Sequence, residues 1–346
     1  MSKTTYRIGA ALVLAALQGA PVVALAHTTS SLAECKVITA DSERLSCYDR
    51  IAGRTTETTA PSPPAPGSGQ VLTGTTGPAS TTDSWIDAAW EFDPASSPFV
   101  IRLYEPNYFL AARNTNHVNT RPYSTVPQAT GEEQNIDSTE AKYQISLKAR
   151  LWTTHDRRWG AWLAYTQQSH WQIYSDATSR PFRETDYMPE FFVSYRPGLE
   201  YEGFHWRLLN FGFNHQSNGR SGTLSRGWNR IFAEFGVERG NLVLDAKAWS
   251  RVKFGGDDDD NPDITDYYGY GSVRAMYKWR GQSFSLMGRG NLGTGKGAVE
   301  ATWMSHELLG PLRAYVQVFS GYGESLIDYN WNQRTIGAGI ALNDAF

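Results

Sequence analysis

Apolar and polar residues alternate along most of the chain after about residue 98, and the alternation falls into twelve segments. In the last segment Ile336, Ala338 and Ile340 share one face, whereas Thr335 and Gly337 share the other. Alternation with period two predicts β-strands that have one apolar and one polar face. The predicted strands are 98–112, 141–153, 158–173, 186–197, 203–217, 227–238, 242–252, 267–280, 282–292, 297–306, 311–321 and 331–346.

Long and short connections alternate between these strands. The odd-numbered connections, such as 113–140 and 253–266, are mostly long, whereas even-numbered ones such as Gly281 are short. Each strand reaches the length of about 9 to 11 residues that a tilted strand needs to cross a bilayer. This pattern predicts an all-β fold, a 12-stranded antiparallel transmembrane β-barrel. The alternative is a soluble β-sandwich or lipocalin-like barrel, which would turn the apolar faces inward.

The composition agrees with a barrel. Hydrophobic residues make up 40% of the chain and charged residues only 19%. Aromatic residues at 13% and 32 glycines suit interfacial girdles and tight turns. The net charge of −3 gives no indication of nucleic-acid binding.

The N-terminus predicts an exported protein. Lys3 and Arg7 precede an apolar run from about Ile8 to Leu25, which ends in the small-residue triplet Ala24-Leu25-Ala26. This pattern is typical of a secretory signal peptide, residues 1–26, and an uncleaved anchor is the alternative. No later apolar run approaches the length of a membrane-spanning helix.

Cys35 and Cys47 follow soon after this segment. An exported compartment permits a disulfide, which would close a small helical hairpin at residues 27–51; a metal site is the alternative. Residues 52–84 are rich in Thr, Pro and Ser and predict a flexible linker. The barrel domain would then occupy residues 85–346.

Three polar residues lie on the predicted apolar faces of two adjacent strands. His215 and Ser217 share a face with Phe211 and Phe213, and Asn229 shares one with Ile231. Cα atoms two strand steps apart are about 6.6 Å from each other, close enough for a histidine to act as the base of a serine nucleophile. Polar groups that face lipid are costly, so these three are candidates for a function at the membrane surface.

The residues around this group resemble the outer membrane phospholipase A family. The resemblance rests on Asn214 to Ser221, Ser225-Arg226 and Trp228 to Arg230, and it covers roughly residues 85–346. Further matching segments are Tyr165 to Gln167, Arg180 to Tyr187, Asp260 to Thr265 and Ser320 to Gln333.

The resemblance implies a phospholipase A1 that also has phospholipase A2 and lysophospholipase activity. It assigns Ser217 as the nucleophile, His215 as the base and Asn229 as the residue that orients the imidazole. It also implies an outer-membrane location with the active site at the outer leaflet and the N-terminal hairpin in the periplasm. A catalytically silent structural or pore-type barrel is the alternative function.

The family uses calcium to stabilise the oxyanion. By resemblance, the ligands are the backbone carbonyl of Arg220, the hydroxyl of Ser225 and Ser179 from a partner subunit. The family often has an aspartate where this chain has Gly222. The acidic run 257–260 is a further candidate calcium site, although acidic runs in loops are usually only solvated.

The family also forms a reversible homodimer. The position that carries this property corresponds to Gln167, which the alternation places on a lipid-facing position. The resemblance therefore implies phospholipid as substrate, Ca²⁺ as cofactor and a second copy of the chain as partner.

Overall fold

The computed structural model describes residues 35–52, 84–122, 135–176, 179–253 and 260–346. The chain divides into two compact units, Met1–Gly69 and Gln70–Phe346. In the first unit, helix α1 spans Asp41–Ile51, and a disulfide joins Cys35 to Cys47. The predicted disulfide is therefore confirmed. The predicted signal peptide, residues 27–34 of the predicted hairpin and residues 53–83 of the predicted linker lie outside the described residues.

The second unit is built almost entirely of strands. They are β1 (Ile101–Leu103), β2 (Asn107–Thr115), β3 (Thr139–Thr153), β4 (Trp159–Trp171), β5 (Phe182–Tyr195), β6 (Leu199–Tyr201), β7 (Phe204–Ser217), β8 (Gly227–Arg239), β9 (Leu242–Val252), β10 (Gly271–Trp279), β11 (Gln282–Asn291), β12 (Lys296–Leu309), β13 (Leu312–Tyr322) and β14 (Asn332–Asn343). The described residues of this unit also form two short helices, α2 (Trp85–Trp90) and α3 (Ile264–Tyr268), and a 3-10 turn (Gly222–Leu224).

Twelve long antiparallel strands close into a barrel, because β14 pairs with β2 and β3 pairs with both β2 and β4. The short strands lie outside this cycle: β1 pairs with β3, and β6 pairs with β7. The predicted 12-stranded antiparallel barrel is confirmed.

In the part of the chain that the structure describes, no helix combines the length and the apolar character needed to cross a membrane.

Most of the predicted strand limits are shifted by a few residues in the structure, and for two of the strands the shift has a clear cause. The first, 98–112, is divided into β1 and β2 at Pro106, which has no N–H to donate to a sheet. The eighth, 267–280, begins only at Gly271, because residues 264–268 form α3. This helix ends at Gly269, which has a φ of 69° and so allows the chain to turn into the strand.

The barrel has its apolar face outside and its polar face inside. On the outer face Leu163 is 50% exposed and Phe211 is 63% exposed. On the inner face Lys142, Arg150 and Glu190 are buried. This arrangement is the inverse of a soluble barrel and is typical of one that is surrounded by lipid.

Side chains fill the described part of the interior. Near the short turns, Trp90 of α2 packs edge-to-face against Trp162 and Phe192. Towards the long loops, Arg183 pairs with Glu140 at 2.9 Å and with Asp328 at 2.7 Å. Such a packed interior disfavours the alternative of a passive pore.

Candidate active site

Strands β7 and β8 place the three polar candidates side by side. Ser217 is the last residue of β7, and His215 precedes it by one full strand repeat. In the antiparallel register His215 lies opposite Asn229 and Ser217 lies opposite Gly227. The structure therefore brings His215, Ser217 and Asn229 together at the loop end of one strand pair.

The imidazole of His215 is oriented by the amide of Asn229. His215 Nδ1 and Asn229 Oδ1 are 2.7 Å apart. Because an amide oxygen can only accept, Nδ1 carries the hydrogen and donates it. Nε2 is then the ring nitrogen that can accept a proton, as a base for Ser217 must.

The candidate site faces outward, as the alternation predicts. His215, Ser217 and Asn229 are half-buried, and their neighbours on the same face, Phe211 and Ile231, are 63% and 43% exposed. The opposite face of β7 carries side chains buried inside the barrel: Asn210, Asn214 and Gln216. An ester could therefore approach the candidate site from the lipid side without entering the barrel.

Tyr187 borders the serine. It lies opposite Ser217 in the pairing of β5 with β7 and is partly exposed on the outer wall. A Cβ placed on Gly219 would be 2.9 Å from Tyr187 Cε2, so the ring lies directly against this glycine. Tyr187 and Gly219 thus form one side of the surface around Ser217.

The two proposed calcium ligands of this chain lie on the nine-residue connection 218–226 between β7 and β8. The Arg220 side chain is anchored at the barrel mouth, since one of its guanidinium nitrogens donates to the Arg183 carbonyl at 2.7 Å and another lies 3.6 Å from buried Glu184. The Ser225 hydroxyl donates to Asp260 Oδ2 at 2.6 Å. The remainder of the acidic run, 257–259, lies outside the described residues.

This donor set fits a hard cation. Hydroxyl, carbonyl and carboxylate oxygens are the ligands that Ca²⁺ prefers. Among the described residues, no group of three or more His, Cys, Asp or Glu side chains could hold a metal. A calcium site here would therefore depend on backbone and hydroxyl oxygens, as the sequence interpretation supposes.

Ser179 is not on the same connection as the other two. It lies between β4 and β5 in an exposed turn with a φ of 54°. Strand β5 separates this connection from that of Arg220 and Ser225. Within one chain the fold therefore places Ser179 apart from the other proposed ligands.

Gln167 lies on the outer wall of β4, on the face that carries exposed Leu163. Its amide oxygen accepts from the Tyr165 hydroxyl at 3.0 Å, and its amide nitrogen donates to Ser169 Oγ at 3.4 Å. Ser169 in turn is 3.0 Å from Thr185 Oγ1. A strip of polar groups therefore crosses an otherwise apolar part of the wall.

Sequence reasoning missed two residues of this region, Asn218 and Tyr187. Asn218 lies within the segment Asn214 to Ser221 that carries the resemblance, but the sequence assigns it no role. In the structure its side chain makes hydrogen bonds to both ends of the connection 218–226. The period-two pattern of β5 could have placed Tyr187 on the outer face, but its position opposite Ser217 depends on the register between strands.

Comparisons with known proteins identify the family. A family model described as phospholipase A1 matches residues 86–342. The phospholipase A1 of Klebsiella pneumoniae is 39% identical over 253 residues, which are 72% of this chain and 85% of the relative.

Two solved structures are similar to this chain. One is described as the Salmonella typhi outer membrane phospholipase dimer with bound calcium; it has a TM-score of 0.68 and 36% identity, covering 76% of this chain and all of that one. The other is an Escherichia coli outer membrane phospholipase A described as an active-site mutant in which an asparagine is replaced by alanine; it has a TM-score of 0.67 and 35% identity, covering 77% of this chain and all of that one. The family model covers nearly the whole barrel, and this chain belongs to the phospholipase A1 family.

Proposed function

We propose that this phospholipase cleaves acyl esters with Ser217 as nucleophile, His215 as base and Asn229 as the group that orients the imidazole. The observation that carries the proposal is the 2.7 Å contact between His215 Nδ1 and Asn229 Oδ1 on the outward apolar face that also bears Ser217. The E. coli relative, whose described active-site mutation is at an asparagine, supports an asparagine in the active site.

In this mechanism the Ser217 hydroxyl oxygen attacks the ester carbonyl carbon, and His215 Nε2 takes the hydroxyl proton. His215 then gives that proton to the leaving lysolipid oxygen as the ester bond breaks, which leaves an acyl-serine. Water, deprotonated by the same imidazole, releases the fatty acid and restores Ser217. Asn229 keeps Nδ1 protonated throughout, so Nε2 remains the basic nitrogen.

We further propose that Arg220 and Ser225 hold Ca²⁺ together with Ser179 of a second copy. When bound, this ion supplies positive charge that stabilises the oxyanion formed from the ester carbonyl. Two observations support the proposal: Arg220 and Ser225 share one connection, and β5 lies between that connection and Ser179. The Salmonella relative, described as a dimer with bound calcium, supports both the ion and the second copy.

The dimer would form through the wall around Gln167. Its amide is a polar group on a lipid-facing surface, and such a group is stabilised when a partner subunit supplies further hydrogen bonds.

We propose that the enzyme resides in the outer membrane with the triad at the outer leaflet. We also propose that it hydrolyses the second ester position of phospholipids and that it accepts lysophospholipids.

The assignment of the nucleophile is tested by Ser217→Ala. We expect the variant to fold, because Ser217 lies at the end of β7 on the outer wall, and heat-modifiable gel mobility measures this folding. Fatty-acid release from phospholipid micelles should fall by about 10⁴-fold or more. Ser250→Ala is the matched control, since Ser250 also faces outward, on neighbouring β9, and should keep near-normal release. The wild-type enzyme should also react with a sulfonyl fluoride at Ser217. A folded Ser217→Ala variant with normal release would refute the assignment.

A further inference from the structure

Asn218 follows the proposed nucleophile directly, but its side chain points the other way. Ser217 faces the outer wall, whereas Asn218 is only 5% exposed and has the inward parity of Gln216. Its side chain therefore lies beneath the connection 218–226, away from the ester.

The Asn218 amide contacts both halves of this connection. Its Oδ1 accepts from the backbone N–H of Arg220 at 3.3 Å and from that of Arg226 at 3.0 Å. Its Nδ2 donates to the carbonyl of Leu224 at 3.1 Å. The Asn218 side chain thereby links Arg220, whose carbonyl is a proposed ligand, to Leu224 and Arg226. These two residues flank Ser225, the second proposed ligand.

The backbone of Asn218 continues the same closure, because its N–H donates to the carbonyl of Arg226 at 3.0 Å. Asn218 thus forms the base at which the two ends of the connection meet. Between these ends the chain makes turns at Gly219 and Gly222, both of which have a positive φ. Glycine turns allow many conformations, so a fixed arrangement of the oxygens depends on such cross-connections.

We propose that Asn218 is the positioning residue of the calcium site. It acts through Arg220 and Ser225, and holds the carbonyl oxygen of the first and the hydroxyl of the second at the separation that binds the ion. A site whose ligands are already ordered binds more tightly, because less conformational freedom is lost on binding. This inference rests on the proposed calcium ligands and extends them with a residue that touches neither ion nor ester.

The test compares variants of the full-length chain, folded in zwitterionic detergent micelles. Asn218→Ala removes all three side-chain hydrogen bonds. Asn218→Asp is the conservative variant, because its carboxylate can still accept from the N–H groups of Arg220 and Arg226. Asn214→Ala is the matched control: Asn214 is a buried asparagine of β7 with the same inward parity as Asn218, and its partner is Arg230, which lies outside the connection.

Two readouts use the metal alone, without substrate. Calcium affinity is measured by titration calorimetry, and the unfolding temperature is measured in chelator and in excess calcium. We expect Asn218→Ala to bind calcium about tenfold more weakly or worse, since several hydrogen bonds that order the ligands are lost. Its unfolding temperature should rise much less on addition of calcium than that of the wild type. Asn218→Asp should retain most of the affinity, and Asn214→Ala should bind as the wild type does.

A folded Asn218→Ala variant with wild-type calcium affinity would overturn the inference, as would an equal loss in Asn214→Ala. If Asn218→Ala does not fold, Asn218→Leu takes its place, because leucine keeps a similar side-chain volume but makes none of the hydrogen bonds: calcium binding about tenfold weaker supports the inference, and affinity within about threefold of the wild type contradicts it. Failure of the calcium proposal itself looks different, because the wild type would then bind no calcium and hydrolyse phospholipid in excess chelator.

Discussion

At the level of single residues, the group that is proposed to orient the His215 imidazole is neutral. Asn229 accepts from His215 Nδ1, as a carboxylate would in the more common triad, but it carries no charge. It can therefore fix the tautomer and the direction of the ring without the extra stabilisation that a negative charge gives to imidazolium. This difference separates the expected roles of the two residues.

We expect His215→Ala to abolish measurable turnover and Asn229→Ala to be about 100-fold milder in kcat. In the proposed mechanism His215 transfers the proton in every step, whereas Asn229 only selects the productive ring orientation. Rates of fatty-acid release under substrate saturation measure the difference, and Asn241→Ala, in an exposed turn, serves as control. Equal losses in two folded variants would show that Asn229 has another role.

Gly219 and Gly222 offer a matched pair of substitutions. Both have a positive φ, 66° and 60°, so alanine carries a similar backbone cost of about 1–2 kcal/mol at each. The Cβ of Gly219→Ala would also collide with the Tyr187 ring, whereas that of Gly222→Ala would meet nothing within 4 Å.

We therefore expect Gly219→Ala to lower kcat/KM by about tenfold more than Gly222→Ala, because the displaced ring borders Ser217. Adding Tyr187→Ala to Gly219→Ala removes the collision and should recover part of the loss, as a double-mutant cycle would record. If the two glycine variants have the same kcat/KM, the ring does not shape the site.

At the level of elements, α2 acts as a plug at the end of the barrel where the short turns lie. Asp87 is buried, makes a two-point ion pair with Arg196 at 2.7 and 2.8 Å, and lies 3.6 Å from Arg207. The backbone N–H of Ile86 donates to Glu238 Oε2 at 3.2 Å. The helix is too short to be stable alone, so these contacts and the burial of Trp90 determine its place.

Asp87→Ala should lower the free energy of unfolding by about 2 kcal/mol, because it removes both hydrogen bonds of the ion pair and leaves the half-buried Arg196 guanidinium without its partner. Asp176→Ala is the control, since the Asp176–Arg180 pair is exposed and should contribute less than about 1 kcal/mol. Urea unfolding in micelles, followed by tryptophan fluorescence, measures both. A loss of equal size in the two variants would mean that α2 is held by its apolar contacts alone.

At the level of the whole molecule, the site is proposed to be complete only when two copies meet. Calcium and the dimer are then linked: an ion that binds ligands from both copies stabilises the dimer by the same factor by which dimerisation tightens calcium binding. The position of Ser179 on the far side of β5 is the feature of the fold that makes this linkage testable.

Chelation should therefore reduce fatty-acid release and shift the micellar protein towards monomer in analytical ultracentrifugation. Ser225→Ala should weaken calcium binding and dimerisation together by about tenfold or more, because the methyl group of alanine has no oxygen that could bind the ion. Ser250→Ala, on the wall of β9, should change neither. A monomer that hydrolyses phospholipid at full rate in excess chelator would refute the scheme.

The sequence alone determined the features that depend on short-range periodicity. Alternation with period two assigned Phe211 and Ile231 to the outer face and Gln216 to the inner face, because successive side chains of a strand point in opposite directions. The same rule put His215 and Ser217 on the lipid side, and the closed barrel of twelve long strands agrees with the predicted number.

Only the tertiary structure decided which residues meet across strands and loops. The contact of Tyr187 with Gly219 and the closure of the connection by Asn218 depend on register and on chain reversal. The 2.7 Å contact of His215 with Asn229 depends on them too, and before the structure only the family resemblance implied it. The same holds for the interior, where Asp87 and Arg196 are far apart in sequence. Periodicity carries no information about such distances, because they result from the simultaneous packing of strands that the chain brings together only on closing the barrel.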